Sequence, residues 1–262
     1  MPKPAVRPAM LILPLLLLVS ACDIVTAELK HSETAEWRKT FELAPGGRVE
    51  IININGQIQV DPSSGNTLEV VAVKTARGST VEDAKRALER VEIVDTASGA
   101  GVRIETRIPR QSGWFTSSPS VRYSVRVPPG ANVRFATTNG GVELRGISGT
   151  IEAETTNGGI TARDISGSIE ASTTNGGVDV DLARLGEGGA RLGCTNGGIR
   201  LRLPSDARAS ISARITNGGI DTGGVTLDAS ESSRRSLEAR MNGGGPSVRA
   251  ECTNGGFTLR TR

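Results

Sequence analysis

The pentapeptide Thr-Thr-Asn-Gly-Gly occurs at Thr137–Gly141, Thr155–Gly159 and Thr173–Gly177, 18 residues apart each time. Asn-Gly-Gly recurs at Asn139, Asn157, Asn175, Asn196, Asn217, Asn242 and Asn254, with steps of 18, 18, 21, 21, 25 and 12 residues. A period of this length with some drift is the mark of a solenoid, in which each repeat is one unit stacked on its neighbours. Asn tolerates the left-handed backbone region and Gly enters it at no steric cost, so the motif reads as the turn by which each coil reverses. Stacking such turns places each Asn side chain over the next, where the amides can bond in a ladder. Thr138, Thr156, Thr174, Thr195, Thr216 and Thr253 precede the Asn and suit strand ends.

Aligned on the Asn, the third residue onward is Val142, Ile160, Val178, Ile199, Ile220 and Phe257. The fifth is Leu144, Ala162, Val180, Leu201, Thr222 and Leu259. These positions share one strand face, and nearly all are apolar. Before the turn, Ile151 and Ala153, Ile169 and Ala171, and Ile211 and Ala213 alternate in the same way. A second turn lies at Ile147-Ser148-Gly149 and Ile165-Ser166-Gly167. The pattern predicts a mainly all-β chain, with a parallel β-solenoid of about seven short coils over residues 131–262. Glycine is abundant, at 33 residues, and aromatics make up only 3%, which fits a thin, turn-rich core. A calcium-binding β-roll needs Asp at a fixed offset in each repeat; Asp164, Asp179, Asp181 and Asp221 fall at unequal ones.

Residues 37–130 read as mixed β with one helix. Val49–Val60 alternates around an Asn55-Gly56 turn, and Thr67–Thr75 is a second strand. Ser79-Thr80-Val81-Glu82 reads as a capping box, followed by Val81, Ala84, Leu88 and Val91 at helical spacing. Further strands are expected at Glu92–Asp95, Val102–Arg107 and Val121–Val127. A Ser- and Pro-rich loop carrying Trp114 and Phe115 lies between the last two.

The chain opens with Lys3 and Arg7 ahead of a short apolar run, too short to span a bilayer comfortably, which predicts a secretory signal over residues 1–21. Val19-Ser20-Ala21-Cys22 resembles the lipobox of bacterial lipoproteins. That resemblance implies acylation of Cys22, cleavage before it, and attachment to a membrane through the acyl chains. Asp23 follows, which in enteric-type lipoproteins resembles the signal for retention at the inner membrane. Residues 22–36 are polar and read as a tether. The chain carries 31 Lys and Arg against 28 Asp and Glu. Losing Lys3 and Arg7 with the signal leaves it near neutral, which makes no case for nucleic acid. With His31 as the single histidine, a His-based triad or multi-histidine metal site is excluded, and neither metal nor cofactor is expected.

The stretch Tyr123–Ile160, YSVRVPPGANVRFATTNGGVELRGISGTIEAETTNGGI, resembles the signature of a bacterial family of β-strand-repeat domains of unknown function, labelled "putative adhesin". The resemblance runs over roughly Val49 to Arg262. It implies a β-solenoid fold and a cell-envelope location, and no catalytic residues.

Several residues are candidates for function. Six positions after the turn Asn stand Arg145, Arg163, Asp181, Arg202 and Arg260. Stacked, the arginines Arg145, Arg163, Arg202 and Arg260 form a stripe that could take an anionic lipid head group or envelope glycan; the plain alternative is a solvated face of weak mutual pairs. Trp114 and Phe115 either cap the end of the solenoid or meet a partner protein or membrane. Cys194 and Cys252 have inward parity and lie three turn motifs apart, ~14 Å at ~4.8 Å per rung. That predicts two buried free thiols. A polysaccharide-acting enzyme would draw on Asp179, Asp181 and Asp221, but Arg200 and Arg202 stack beside the first two, which reads as charge pairing. The sequence therefore predicts a non-enzymatic, lipid-anchored envelope protein that binds or scaffolds through a repetitive surface. Two settings stay open: an adhesin facing outward, or a periplasm-facing envelope or stress-response accessory.

Overall fold

The computed structural model describes residues 31–99, 101–109 and 119–262. The signal, Cys22, Asp23, Trp114 and Phe115 lie outside the described residues. In chain order the elements are β1 (His31–Glu42), β2 (Arg48–Asn55), β3 (Ile58–Pro62), β4 (Thr67–Gly78), α1 (Val81–Glu89), β5 (Glu92–Ser98), β6 (Gly101–Arg107), β7 (Ser120–Val127), β8 (Asn132–Asn139) and β9 (Val142–Arg145). Then come β10 (Ser148–Asn157), β11 (Ile160–Asn175), β12 (Val178–Asn196), β13 (Ile199–Leu203), β14 (Ala209–Asn217), β15 (Ile220–Asp221), β16 (Asp228–Ser232), β17 (Ser236–Met241), β18 (Ser247–Asn254) and β19 (Phe257–Thr261). β1 begins at His31, so the far end of the expected tether is already strand.

Among the described residues all 19 strands join in one sheet, which folds over on itself into a nearly closed, barrel-like wall rather than seven separate coils. One side runs β1-β4-β7-β3-β9-β11-β12-β13-β19-β15. The other runs β5-β6-β2-β8-β10-β11-β12-β18-β14-β17-β16. β11 and β12 belong to both, because each is long enough to round the corner between them; Asp164 turns that corner in β11 with a φ of 54°. The inward rows from both sides meet in one continuous core, in which Val142, Leu144, Ile160, Ala162, Phe257 and Leu259 are fully buried.

The helix forms for the local reasons expected, one residue along. Thr80, not Ser79, is the N-cap and accepts from the Asp83 N–H at 3.1 Å. Ala84 and Leu88 are buried, and the helix packs on β4 and β1.

From Asn139 to Asn196 the coils stack in chain order and parallel register: Asn139 on Asn157, Asn157 on Asn175, Asn175 on Asn196. Beyond Asn196 the order changes. β12 pairs not with β14 but with β18, and β14 lies on the far side of β18. The coil of Asn254 is thus inserted between those of Asn196 and Asn217.

This insertion corrects the reading of the two cysteines. Cys194 and Cys252 are register partners on adjacent strands and form a disulfide with a Cα–Cα distance of 4.7 Å. The expected ~14 Å separation assumed that rungs stack in the order the chain writes them.

Candidate functional site

The turns form an amide ladder. The side-chain amide of Asn139 donates to Asn55 at 2.7 Å, Asn157 to Asn139 at 2.9 Å, and Asn175 to Asn157 at 2.9 Å. It continues from Asn196 to Asn175 at 3.0 Å, Asn254 to Asn196 at 2.8 Å, and Asn217 to Asn254 at 2.9 Å. Asn55 is therefore a member, although it lacks the second glycine. Asn242 is not: it sits in a turn with a φ of 51° and donates to the carbonyls of Ser205 and Ala207. Backbone bonds run beside the amides, as in Gly140 N–H to the Asn157 carbonyl at 2.9 Å.

The first glycine of each turn has a stricter task than reversal. At Gly158 an added Cβ would lie 2.0 Å from the Gly140 carbonyl oxygen, and at Gly255 1.3 Å from that of Gly197. Rungs can approach this closely only without a side chain. The first threonine of the motif points inward and completes the turn: Thr155 Oγ1 donates to the Gly140 carbonyl and Thr173 Oγ1 to that of Gly158, both at 2.8 Å. Cys194 and Cys252 occupy this same inward position on their rungs. Two cysteines at one offset from the turn was the signal in the sequence that could have revealed the bond.

Arg145, Arg163, Arg202 and Arg260 are brought to one outer row as expected: Arg145 lies beside Arg163, and Arg202 lies between Asp181 and Arg260. The row is not free charge. Arg163 grips Asp179 with both Nη atoms, at 2.7 and 2.8 Å. Arg200 and Arg202 reach the same carboxylate at 3.1 and 3.2 Å. Arg260 bonds Asp221 at 2.6 Å, and Arg145 lies 3.5 Å from Glu143. Arg262 joins Asp164 and Asp181. Hydrogen bonds from Arg163 chiefly hold the Asp179 carboxyl down to about 2, and Arg260 holds that of Asp221 below its ordinary value. A carboxylate clasped by three guanidiniums stays ionised at neutral pH and is poorly suited to carry a proton in acid–base chemistry. Among the described residues, no group of three or more His, Cys, Asp or Glu could hold a metal ion, and no helix is long and apolar enough to cross a membrane.

The geometry describes a class before it describes a protein: a wall of β-repeats locked by an amide ladder, presenting broad charged faces. The chain belongs to the Toastrack DUF4097 family, whose profile matches residues 47–260. No curated protein matches the sequence. Among solved structures it is similar to one from Clostridium sporogenes ATCC 15579, described as "a putative cell adhesion protein", at 11% identity and a TM-score of 0.54, covering 88% of this chain and 100% of that one. It is also similar to one from Bacteroides fragilis NCTC 9343, described as "a putative adhesin", at 7% identity and a TM-score of 0.39, covering 87% of this chain and 97% of that one. At 11% identity the first of these likenesses is one of fold alone.

Proposed function

We propose that this is a non-enzymatic protein of a bacterial cell envelope, lipid-anchored through Cys22, that binds or scaffolds through its repetitive β surface. The observation that carries the reading is the continuous amide ladder from Asn55 to Asn217. It fixes the outward side chains of successive rungs at a constant spacing, as an extended recognition surface requires and as a single catalytic pocket does not. The Cys194–Cys252 disulfide favours an oxidising compartment and so an exported protein. Its partners are then the membrane, through the acyl chains, and an envelope glycan, lipid head group or protein. Two orientations follow. Outward display makes it an adhesin; the Asp23 beside the lipidated cysteine favours the other, a periplasm-facing accessory.

Protease treatment of intact and permeabilised cells tests the orientation, with a cleavable tag placed between Asp23 and Leu29. Cleavage on intact cells supports the adhesin, and protection until permeabilisation supports the periplasmic accessory. The Cys22→Ser variant tests the anchor. It should move to the soluble fraction, and its retention in the membrane would sink the lipoprotein reading.

A further inference from the structure

Three of the four cations the sequence points to, Arg163, Arg202 and Arg260, are tied to carboxylates by hydrogen bonds, but the opposite outer face carries arginines that are not. In register across β10, β11, β12, β18, β14 and β17 stand Glu152, Glu170, Arg191, Arg249, Ser212 and Glu238. One row further from the amide ladder lie Ser168, Ser247, Ser210 and Arg240. Among the described residues, Arg249 and Arg240 make no side-chain hydrogen bond and no ion pair, and both are exposed. Arg191 and Arg214 make only long contacts to carboxylates, at 3.7 and 3.8 Å. The clasped guanidiniums around Asp179 are the contrast.

This face is grooved. Two cavities of about 450 and 500 Å³ meet at Ser247 and Arg249, which line both. Together they run across the strands rather than along them. Small hydroxyl side chains are among their lining, Ser168 and Ser247 in one and Ser210 and Ser212 in the other, and neither is lined by an aromatic residue.

We propose that this groove binds a linear acidic polysaccharide, a chain of carboxylated sugars laid across the rungs from β11 to β17. The proposal rests on the reading of the protein as an envelope binder and names the ligand class. A guanidinium fork takes a carboxylate by two parallel hydrogen bonds, and serine hydroxyls donate to and accept from sugar hydroxyls. Arg191 and Arg249 sit on neighbouring rungs ~4.8 Å apart, and Arg240 lies two strands beyond Arg249. Cations are thus offered at successive positions along an extended chain. With no ring to stack on, a neutral glycan has little to hold it, so the charge sets the specificity. A flat anionic membrane fits less well, because Glu152, Glu170, Glu238 and Glu251 line the same grooved face and would meet the head groups together with the arginines.

Titration of the full-length protein in detergent with a polygalacturonate oligosaccharide tests this, beside its fully methyl-esterified form and phosphatidylglycerol vesicles. The acid form should bind, with affinity that falls as salt rises, and the ester should bind at least about tenfold more weakly. The double variant Arg249→Ala, Arg240→Ala removes side chains that make no hydrogen bond or ion pair among the described residues. It should keep the wild-type melting temperature and lose about tenfold or more in affinity. Arg145→Ala, on the other side of the molecule, should bind as wild type. No binding of the acid form, equal binding of the ester, an unaffected double variant, or binding to vesicles alone would overturn the proposal. Each of these leaves the anchor and orientation experiments untouched. Release of new reducing ends from the oligosaccharide would instead overturn the non-enzymatic reading while leaving the groove in place.

Discussion

Between Asn139 and Asn196 the chain stacks in the order it is written; between Asn196 and Asn254 it does not. Both regions use the same turn, the same inward rows and the same ladder. A repeat of this kind encodes compatibility between neighbours, since every Asn-Gly rung offers the next an acceptor, a donor and a flat glycine surface. It does not encode which rung the neighbour is. In the regular region adjacency comes from short connections. In the inserted region it comes from features that break the repeat. β15 is only two residues long, Ile220–Asp221, and Thr222 stands where other coils have an apolar residue. That coil therefore makes a poor floor for a further rung and sits at the end of its side. Phe257 and Leu259 are fully buried, as suits an interior rung. The disulfide then ties β18 to β12 across the change of order.

The sharpest way to break the inserted region is at its glycine. Gly255→Ala would drive a Cβ to 1.3 Å from the Gly197 carbonyl oxygen, and the rungs must part. The cost should exceed about 3 kcal/mol, seen as loss of soluble protein or a collapsed urea midpoint. Gly130→Ala is the control, a turn glycine with a φ of 73° and nothing within 4 Å of an added Cβ. It should cost only about 1 kcal/mol of backbone strain.

Removing the staple comes next. Cys194→Ser should lose about 3 kcal/mol in non-reducing denaturant titrations. Wild type in reductant should fall to nearly the same midpoint. A variant as stable as oxidised wild type would mean that Phe257, Leu259 and the ladder hold the insertion without help.

The smallest effect probes the junction of the two regions, where Asp179 joins Arg163 from one coil to Arg200 and Arg202 of the next. Its folded pKa of about 2 lies below the ordinary 3.8. The bound proton therefore favours the unfolded chain: the stabilisation is present above about pH 4 and is lost as pH falls towards 2. Asp179→Asn should remove on the order of 1 kcal/mol at neutral pH and flatten the acid limb of the stability profile. A limb unchanged in the variant would assign acid sensitivity to other carboxylates.

Much of this was legible beforehand. The alternation around each turn located the strands, the turn Asn residues announced their ladder, and the Thr80 region announced helix α1. Beyond the inserted rung and its disulfide, three things were not. Asn55 joins the ladder without a full motif, because the ladder needs only an amide and one glycine at the point of close approach. Asn242 carries the full motif yet serves an unrelated turn, since Asn-Gly suits any left-handed corner. The stripe of Arg145, Arg163, Arg202 and Arg260 was read two ways, as an anionic site or as a face of mutual pairs, and the choice between them was not legible. Its neutralisation depends on side-chain reach between rungs, which an alignment of single positions does not display.

The insertion also sets a problem of timing. When β14 has formed and β18 has not, β12 and β14 present matching edges, and nothing in their turns forbids them from closing on each other. Such a closure would shut out the strand that belongs between them. Native assembly must therefore hold a vacancy, or reopen one, over a sequence separation of 58 residues, the kind of long-range pairing that slows folding and exposes unpaired edges. Cys194 stays a lone thiol until Cys252 is seated beside it. The finished bond thus records, in covalent form, that the rungs were shuffled into their proper sequence.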